Sequence, residues 1–221
     1  MYEIVGVRGN IIRLDELPEE EKKKALAYEI TELLELFGPM KRQLLVRYFT
    51  ERHAMIVVEC LKSMERVKKV ASYEDYYTTD SRLFDTTYFT SPKINGEVNT
   101  FENIKNFNGF LEKLELRQKA FAVFLNFREF GAQRWYLGSN PMKPWLILSF
   151  VAREKLFHVV YVTDFNAIYA NDITADPREI RDRLALIYTD EDKKGYTENQ
   201  VQGVKAYVKV DENYHVVIKK P

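Results

Sequence analysis

The residues whose types suggest chemistry are basic, and they lie close together in the first third of the chain. Between Met40 and Val70 the sequence has eight Lys or Arg residues against three acidic ones, whereas Met1–Pro39 has five against nine. Over the whole chain, 33 basic and 33 acidic residues cancel. A local excess of positive charge attracts phosphate, so the segment is a candidate for contacts with nucleic acid. A solvated helix face is the alternative interpretation.

The candidate DNA-contacting residues belong to two predicted helices and to the base of a hairpin that follows them. They would supply charge or hydrogen bonds to phosphate oxygens. The set consists of Lys41, Arg42, Arg52, His53, Lys62, Arg66, Lys68 and Lys69. An apolar run in the second of these helices contains Met55, Ile56 and Val57. We expect these three to form an interface, either by packing on the second domain or by contacting a second copy or a partner protein.

Residues that could support catalysis do not form a recognisable set. A metal-dependent nuclease needs a carboxylate on one central strand and an acidic residue near a Lys on the next, because Mg²⁺ prefers oxygen ligands. The run Trp145–Val151 has Ser149 as its one polar side chain, and Lys155–Val162 has His158 but no acidic residue. The sequence therefore predicts no catalytic residues, no metal site and no cofactor, and no pattern indicates a small-molecule substrate.

Composition and length are those of a globular protein. The chain has 221 residues, of which 46% are hydrophobic and 30% charged, and no window reaches the 18 or so apolar residues that span a bilayer. The first residues lack the pattern of a signal peptide, and the single Cys60 excludes an internal disulfide. These features predict a cytoplasmic protein without a membrane partner.

The basic segment follows a long predicted helix. Pro18 and three Glu residues are typical of a helix start, and Gly38-Pro39 of a helix stop. We expect a second helix at Met40–Phe49 and a third at Arg52–Met64. The remaining N-terminal expectations are a hairpin of Tyr2–Val7 with Asn10–Leu14, a turn at Thr50-Glu51, and a hairpin of Val67–Ala71 with Tyr76–Thr79.

Three helices and a hairpin in this order resemble the N-terminal winged helix of bacterial mobile-element and replication-associated proteins, over Glu29–Thr79. The resemblance implies that the third helix enters the DNA major groove and that the hairpin, the wing, lies near the backbone. Two features depart from the pattern. The apolar residues of the third helix leave little polar surface for reading bases, and the wing tip, Tyr73-Glu74-Asp75-Tyr76, is acidic.

The sequence pattern of the second half of the chain predicts a sheet accompanied by helices. Phe107–Phe130 has helical spacing, and the runs Trp145–Val151 and Lys155–Val162 are apolar at nearly every position, which indicates strands buried on both faces. The other predicted elements are a strand at Arg183–Thr189, short helices at Pro177–Arg181 and Thr197–Gly203, and a hairpin of Ala206–Val210 with Tyr214–Lys219.

The helix segment Ala120–Phe127 and the strand pair Pro144–Phe150 and Lys155–Val162 resemble an uncharacterised family of Firmicutes mobile-element proteins with a replication-relaxation-like layout. That resemblance implies a setting among plasmids and conjugative transposons and implies no chemistry.

The sequence thus predicts an α+β protein, in which an N-terminal winged helix-turn-helix (residues 1–80) and a connecting segment (81–100) precede a mixed α/β domain with a central sheet (101–221). For this second domain, a degenerate restriction-endonuclease-like fold is one candidate. We expect a DNA-binding accessory protein of a mobile element, whose second domain mediates dimerisation or partner docking. A protein-interaction scaffold without a DNA role is the alternative, and a metal-dependent nuclease the second alternative.

Overall fold

The structure, a computed structural model, describes residues 3–7, 11–49, 54–80, 100–128, 130–138, 146–161, 184–187 and 204–219. Its chain is mixed α+β and forms two compact units, Met1–Leu114 and Glu115–Pro221. No described helix is long and apolar enough to cross a membrane. Several sequence predictions lie outside the described residues: those for Thr50-Glu51, Arg52, His53, 81–99, 177–181 and 197–203.

The described residues up to Asp80 of the N-terminal unit form three α-helices and two small antiparallel sheets. Its elements are β1 (Glu3–Val5), β2 (Ile11–Arg13), α1 (Glu19–Phe37), β3 (Met40–Lys41), α2 (Arg42–Phe49), α3 (Ala54–Arg66), β4 (Ala71–Tyr73) and β5 (Tyr76–Thr78). Strands β1 and β2 pair with each other, and the second sheet has the order β3-β5-β4. The three-stranded sheet therefore joins the start of α2 to the hairpin that follows α3.

Helix α1 forms where the spacing predicted it. Pro18 precedes it as the N-cap, three Glu residues occupy its first turn, and Gly38 ends it with φ 88° and an N–H bond to the Leu34 carbonyl (2.9 Å). Glycine adopts this positive φ without steric cost. The apolar stripe of α1 is fully buried and consists of Leu26, Ile30, Leu33, Leu34 and Phe37. The stripe forms the centre of the core of the N-terminal unit.

A buried carboxylate connects the N-terminal hairpin to α1. The Val7 N–H donates a hydrogen bond to Glu29 Oε2 at 2.7 Å, and the Glu29 side chain is only 4% exposed. A buried charged group is destabilising unless it is hydrogen-bonded, so this contact offsets part of the cost of burying Glu29. It also gives the short hairpin a fixed position on the helix.

Two boundaries differ from the prediction. The second helix begins at Arg42, because Met40 and Lys41 extend and pair with Tyr77 and Tyr76 of β5. Two residues are too few for a periodic signal, so the sequence pattern predicts the apolar Met40 as part of the helix. The third helix continues past Met64 to Arg66. The first hairpin strand, predicted at Val67–Ala71, lies later in the chain at Ala71–Tyr73, and the second ends at Thr78, one residue before the predicted end.

The C-terminal unit contains a six-stranded mixed sheet. The long helix α4 (Thr100–Arg128) precedes it and contains the boundary between the two units. The strands are β6 (Ala132–Leu137), β7 (Leu146–Ala152), β8 (Lys155–Tyr161), β9 (Leu184–Ile187), β10 (Val204–Val210) and β11 (Val216–Lys219), in the order β11-β10-β9-β8-β7-β6. Strand β9 runs parallel to both neighbours, and the other pairs are antiparallel. Strand β6 was not predicted.

Aromatic side chains fill the space between α4 and the sheet. Phe121 lies edge-on to Trp135 of β6 (ring centroids 5.4 Å apart), and Phe124 is 5.8 Å from Phe150 of β7. On the other face of β7, Ile147, Ser149 and Val151 are only half-buried. The prediction that these strands are buried on both faces is therefore wrong for β7, whose burial alternates along the strand.

Replacing Glu29 tests the connection between the hairpin and α1. Glu29→Ala should destabilise the N-terminal unit by about 1.5–3 kcal/mol, because the Val7 N–H loses a charged acceptor in a buried position. Amide hydrogen exchange measured by NMR should show faster exchange at Val7 in Glu29→Ala than in the wild type. Glu29→Gln retains an acceptor oxygen and serves as the control. Unchanged exchange at Val7 in Glu29→Ala would contradict this role.

Candidate nucleic-acid interface

One face of α3 carries the exposed side chains and the opposite face is core. Met55, Glu59, Lys62 and Arg66 recur at three- and four-residue spacing and are all exposed. The buried face consists of Val57, Cys60, Leu61 and Met64. Because the two sets lie on opposite sides of the helix, the outward stripe presents two cations, one carboxylate and one apolar side chain.

Two more cations follow directly after the end of α3. The Lys69 N–H bonds to the Met64 carbonyl (2.9 Å) and the Lys68 N–H to the Glu65 carbonyl (3.0 Å), with Lys68 at φ 58°. This is the hydrogen-bond pattern of a Schellman motif, which closes the last turn. Lys68 and Lys69 are exposed in this turn. Together with Arg66 they lie at the negative, C-terminal end of the helix dipole of α3.

Lys41 and Arg42 lie elsewhere, beside the turn between β4 and β5. The Arg42 guanidinium pairs with the Asp75 carboxylate (Nη2–Oδ1, 3.1 Å), and the Arg42 N–H bonds to the Asp75 carbonyl (2.8 Å). Lys41 Nζ lies 4.3 Å from the centre of the Tyr76 ring. Both cations thus have partners within the chain, and the acidic wing tip neutralises Arg42.

The turn that carries Asp75 has a specific backbone geometry. Tyr73 pairs with Tyr76, and the two residues between them have φ of 44° and 69°. Positive φ at both central residues is the type I′ hairpin turn. The usual sequence signal of this turn type is Asn-Gly or Asp-Gly, so the Glu74-Asp75 pair did not indicate the turn type, although the hairpin tip lies where the sequence predicted it.

The three predicted contact residues of α3 have different environments. Met55 is 65% exposed and Ile56 is half-buried, so both reach the surface. Val57 is 0% exposed, which moves it from the predicted contact surface into the core. The helical period explains this, because Val57 lies on the same side of α3 as Leu61 and Met64.

A groove of about 900 Å³ lies between α1 and α3. Its basic side chains come from both helices and from the turn after α3: Lys23, Lys24, Lys62, Arg66 and Lys69. None of the five forms an ion pair with a described carboxylate. Sequence reasoning missed Lys23 and Lys24, because they belong to a segment with an overall acidic balance. Their position beside the apolar stripe of α1 was the available signal.

Cys60 lies against the floor of this groove. Burial raises the pKa of its thiol from the ordinary 9.0 to about 11, although the nearby positive charge of Lys23 acts in the opposite direction. Cys60 Sγ is 3.9 Å from both the Lys23 carbonyl oxygen and Met64 Sδ. The thiol is therefore protonated at neutral pH, and it is a poor nucleophile or metal ligand.

The described residues contain no group of three or more His, Cys, Asp or Glu side chains placed to hold a metal ion. Ser149 of β7 and His158 of β8 lie on the two strands on which a nuclease would need acidic residues. They are opposite each other in the sheet, and Ser149 Oγ lies 2.8 Å from His158 Nδ1. The hydrogen bond gives Ser149 and His158 a polar partner at a half-buried position.

The chain matches no protein-family model and no curated protein at a significant level. Conclusions about function therefore depend on the geometry of the described residues.

The positive φ of Lys68 gives a stability prediction. A left-handed backbone costs a residue with a Cβ about 1–2 kcal/mol, and glycine avoids this but loses more conformational entropy on folding. Lys68→Gly should therefore stabilise the N-terminal unit by about 0.5 kcal/mol, whereas Lys68→Val should destabilise it by a similar amount or more. Urea denaturation followed by circular dichroism measures both changes. A less stable Lys68→Gly variant would exclude this account of the turn.

The raised pKa of Cys60 predicts a pH dependence of stability. The unfolded thiol loses its proton near pH 9.0 and the folded thiol near 11, so deprotonation favours the unfolded state. This contribution is fully present below pH 9 and is lost as the pH rises towards 11, with a slope of at most about 1.4 kcal/mol per pH unit. Urea denaturation at pH 8 to 10.5 should show a steeper decline for the wild type than for Cys60→Ala. Parallel declines in stability for the wild type and Cys60→Ala would refute this contribution of the Cys60 thiol.

Proposed function

We propose that the N-terminal unit is a winged helix that binds duplex DNA through phosphate contacts, while the C-terminal unit mediates dimerisation or partner docking. The order α1, β3, α2, α3, β4, β5 supports the first part, because α3 is followed by a hairpin whose second strand pairs with β3. A winged helix has this arrangement of three helices and three strands. The mobile-element setting stays a prediction.

The observation that carries the proposal is the group of four exposed cations at the end of α3. Lys62 and Arg66 lie one turn apart on the outward stripe, and Lys68 and Lys69 follow the helix. None of the four is paired with a carboxylate among the described residues. Unpaired, solvated cations release phosphate counterions on binding, which favours association at low salt.

The same geometry favours binding without strong sequence preference. The outward stripe of α3 offers Met55 and Glu59 where a recognition helix usually offers hydrogen-bond donors. Lys41 and Arg42 are held by Tyr76 and Asp75, so their contribution should be smaller than that of the α3 group. Phosphate contacts of this kind position a protein on DNA and carry no direct sequence information.

A protein-interaction scaffold is the second candidate. Met55 of α3 and Val67 just after it are 65% and 63% exposed, so both offer apolar surface to a protein partner. A scaffold would use these side chains to bind a protein and would show no salt-dependent affinity for DNA.

Salt-dependent binding to a random-sequence duplex tests the DNA proposal. Four phosphate contacts predict a slope of log K against log salt of about −3.6, so affinity should fall roughly a hundredfold between 50 and 200 mM salt. The double variant Lys62→Gln/Arg66→Gln should halve that slope to about −1.8. Fluorescence anisotropy of a labelled duplex measures both values.

The control is Lys113→Gln/Arg117→Gln, which removes the same two residue types at the same spacing from an exposed face of α4. Its slope should equal that of the wild type. Two results would refute the proposal: no binding at low salt, or equal slopes for the two double variants.

A further inference from the structure

The groove between α1 and α3 has apolar side chains as well as the five cations. Ala27, Ile56, Met64 and Val67 line it, and the protonated thiol of Cys60 adds no charge. Val67 is 63% exposed and Tyr28, on the opposite wall, is 56% exposed. An apolar surface open to this extent is stabilised when a ligand with an apolar face covers it.

The length of the groove fits a short helix. Its lining on α1 runs from Glu19 to Glu35. At 1.5 Å per residue this stretch is about 24 Å long, which is the length of a helix of about 16 residues. An amphipathic helix of that size presents one apolar row to a groove with polar residues on either side of the row.

The charge of the groove sets the sign of its ligand. Both walls contribute cations without an ion-pair partner among the described carboxylates, with Lys23 and Lys24 on α1 facing the three cations of the α3 side. Of the three acidic residues that line the groove, Glu19 is already paired with Lys22 at 3.5 Å. The excess charge is therefore positive, with two adjacent cations on α1 and three cations on the α3 side.

We propose that this groove binds an acidic amphipathic helix of a partner protein. Apolar side chains of that helix cover Val67 and Tyr28, and its flanking carboxylates approach the Lys23–Lys24 pair on one side and the cations of the α3 side on the other. A DNA duplex satisfies only half of this description, because its phosphates can reach the cations but it has no exposed apolar face to place on the floor.

Helix binding and the proposed DNA binding exclude each other. Lys62, Arg66 and Lys69 belong to both surfaces, so an acidic helix in the groove would occupy cations that phosphate needs. Lys23 and Lys24 lie outside the predicted DNA-contacting set. A partner with such a helix would release the protein from DNA, and occupation of the groove itself does not depend on whether DNA binds.

The test uses the full chain and a labelled designed peptide of 16 residues, with Leu at positions i, i+3, i+4 and i+7 and Glu on both flanks. A scrambled peptide of the same composition has the same charge without the apolar row. Fluorescence anisotropy should show binding of the amphipathic peptide at 150 mM salt and at least about tenfold weaker binding of the scrambled one. Because apolar contacts are not screened, much of the binding should persist at 500 mM salt.

Three variants locate the site. Val67→Glu and Lys23→Glu/Lys24→Glu should each weaken peptide binding about tenfold or more, and Val67→Leu should preserve it. Val67 is exposed, so these changes leave the core intact. Lys113→Glu on α4 is the charge control and should have no effect.

Equal affinity for the two peptides, or unchanged binding by Val67→Glu, would overturn the proposal and show a general attraction for polyanions. The DNA proposal fails separately from the helix-binding proposal. In that case the amphipathic peptide binds and the duplex does not. Binding of the duplex without the peptide would eliminate the helix-binding groove alone.

Discussion

Burial of the apolar stripe of α1 is the constraint on which the N-terminal unit depends. Each large apolar side chain removed from water contributes about 1.5–3 kcal/mol, so the five residues of the stripe together are comparable to the whole stability of a typical domain. Helices α2 and α3 turn their apolar faces towards this core, and the charged residues of α1 and α3 are left outside. Exposed ion pairs contribute at most about 1 kcal/mol, so the surface charges can vary with little effect on the fold.

Two carboxylates, Glu29 and Asp75, bind groups within the chain and are not simply solvent-exposed negative charges. Glu29 is acidic, yet it lies in the core as an acceptor for a backbone N–H. Asp75 belongs to an acidic turn that by itself would repel phosphate, but it faces the Arg42 guanidinium. Such pairing lowers the charge that each group presents to a partner. For this reason a count of charges along the sequence exaggerates both the acidity of the wing tip and the basicity of the start of α2.

The sequence predicted the long elements of the fold, in which an apolar pattern continues over many residues. Helix α1 was located to within one residue, because Pro18 and Gly38 enclose a continuous apolar stripe, and the strand pair β7 and β8 was recognised from two dense apolar runs. Strand β3 was missed, because its two residues give no periodic signal. The turns at Glu74-Asp75 and Arg153-Glu154 lie between the strands where the sequence predicted them, although none of these four residues, all with positive φ, is glycine. The groove could not be predicted, because it joins residues of α1 to residues of α3 about 40 positions later.

The order of strands in the C-terminal sheet has a consequence for synthesis of the chain. Strands β6, β7 and β8 are antiparallel neighbours in sequence order, so they can pair as soon as Tyr161 is available. The next partner of β8 is the parallel strand β9, which begins at Leu184. At roughly 5–20 residues per second, a ribosome needs about 1–5 s to reach it. During that interval β8 is an open sheet edge, and the polar side chains of Lys155 and His158 on this strand disfavour its pairing with another nascent chain.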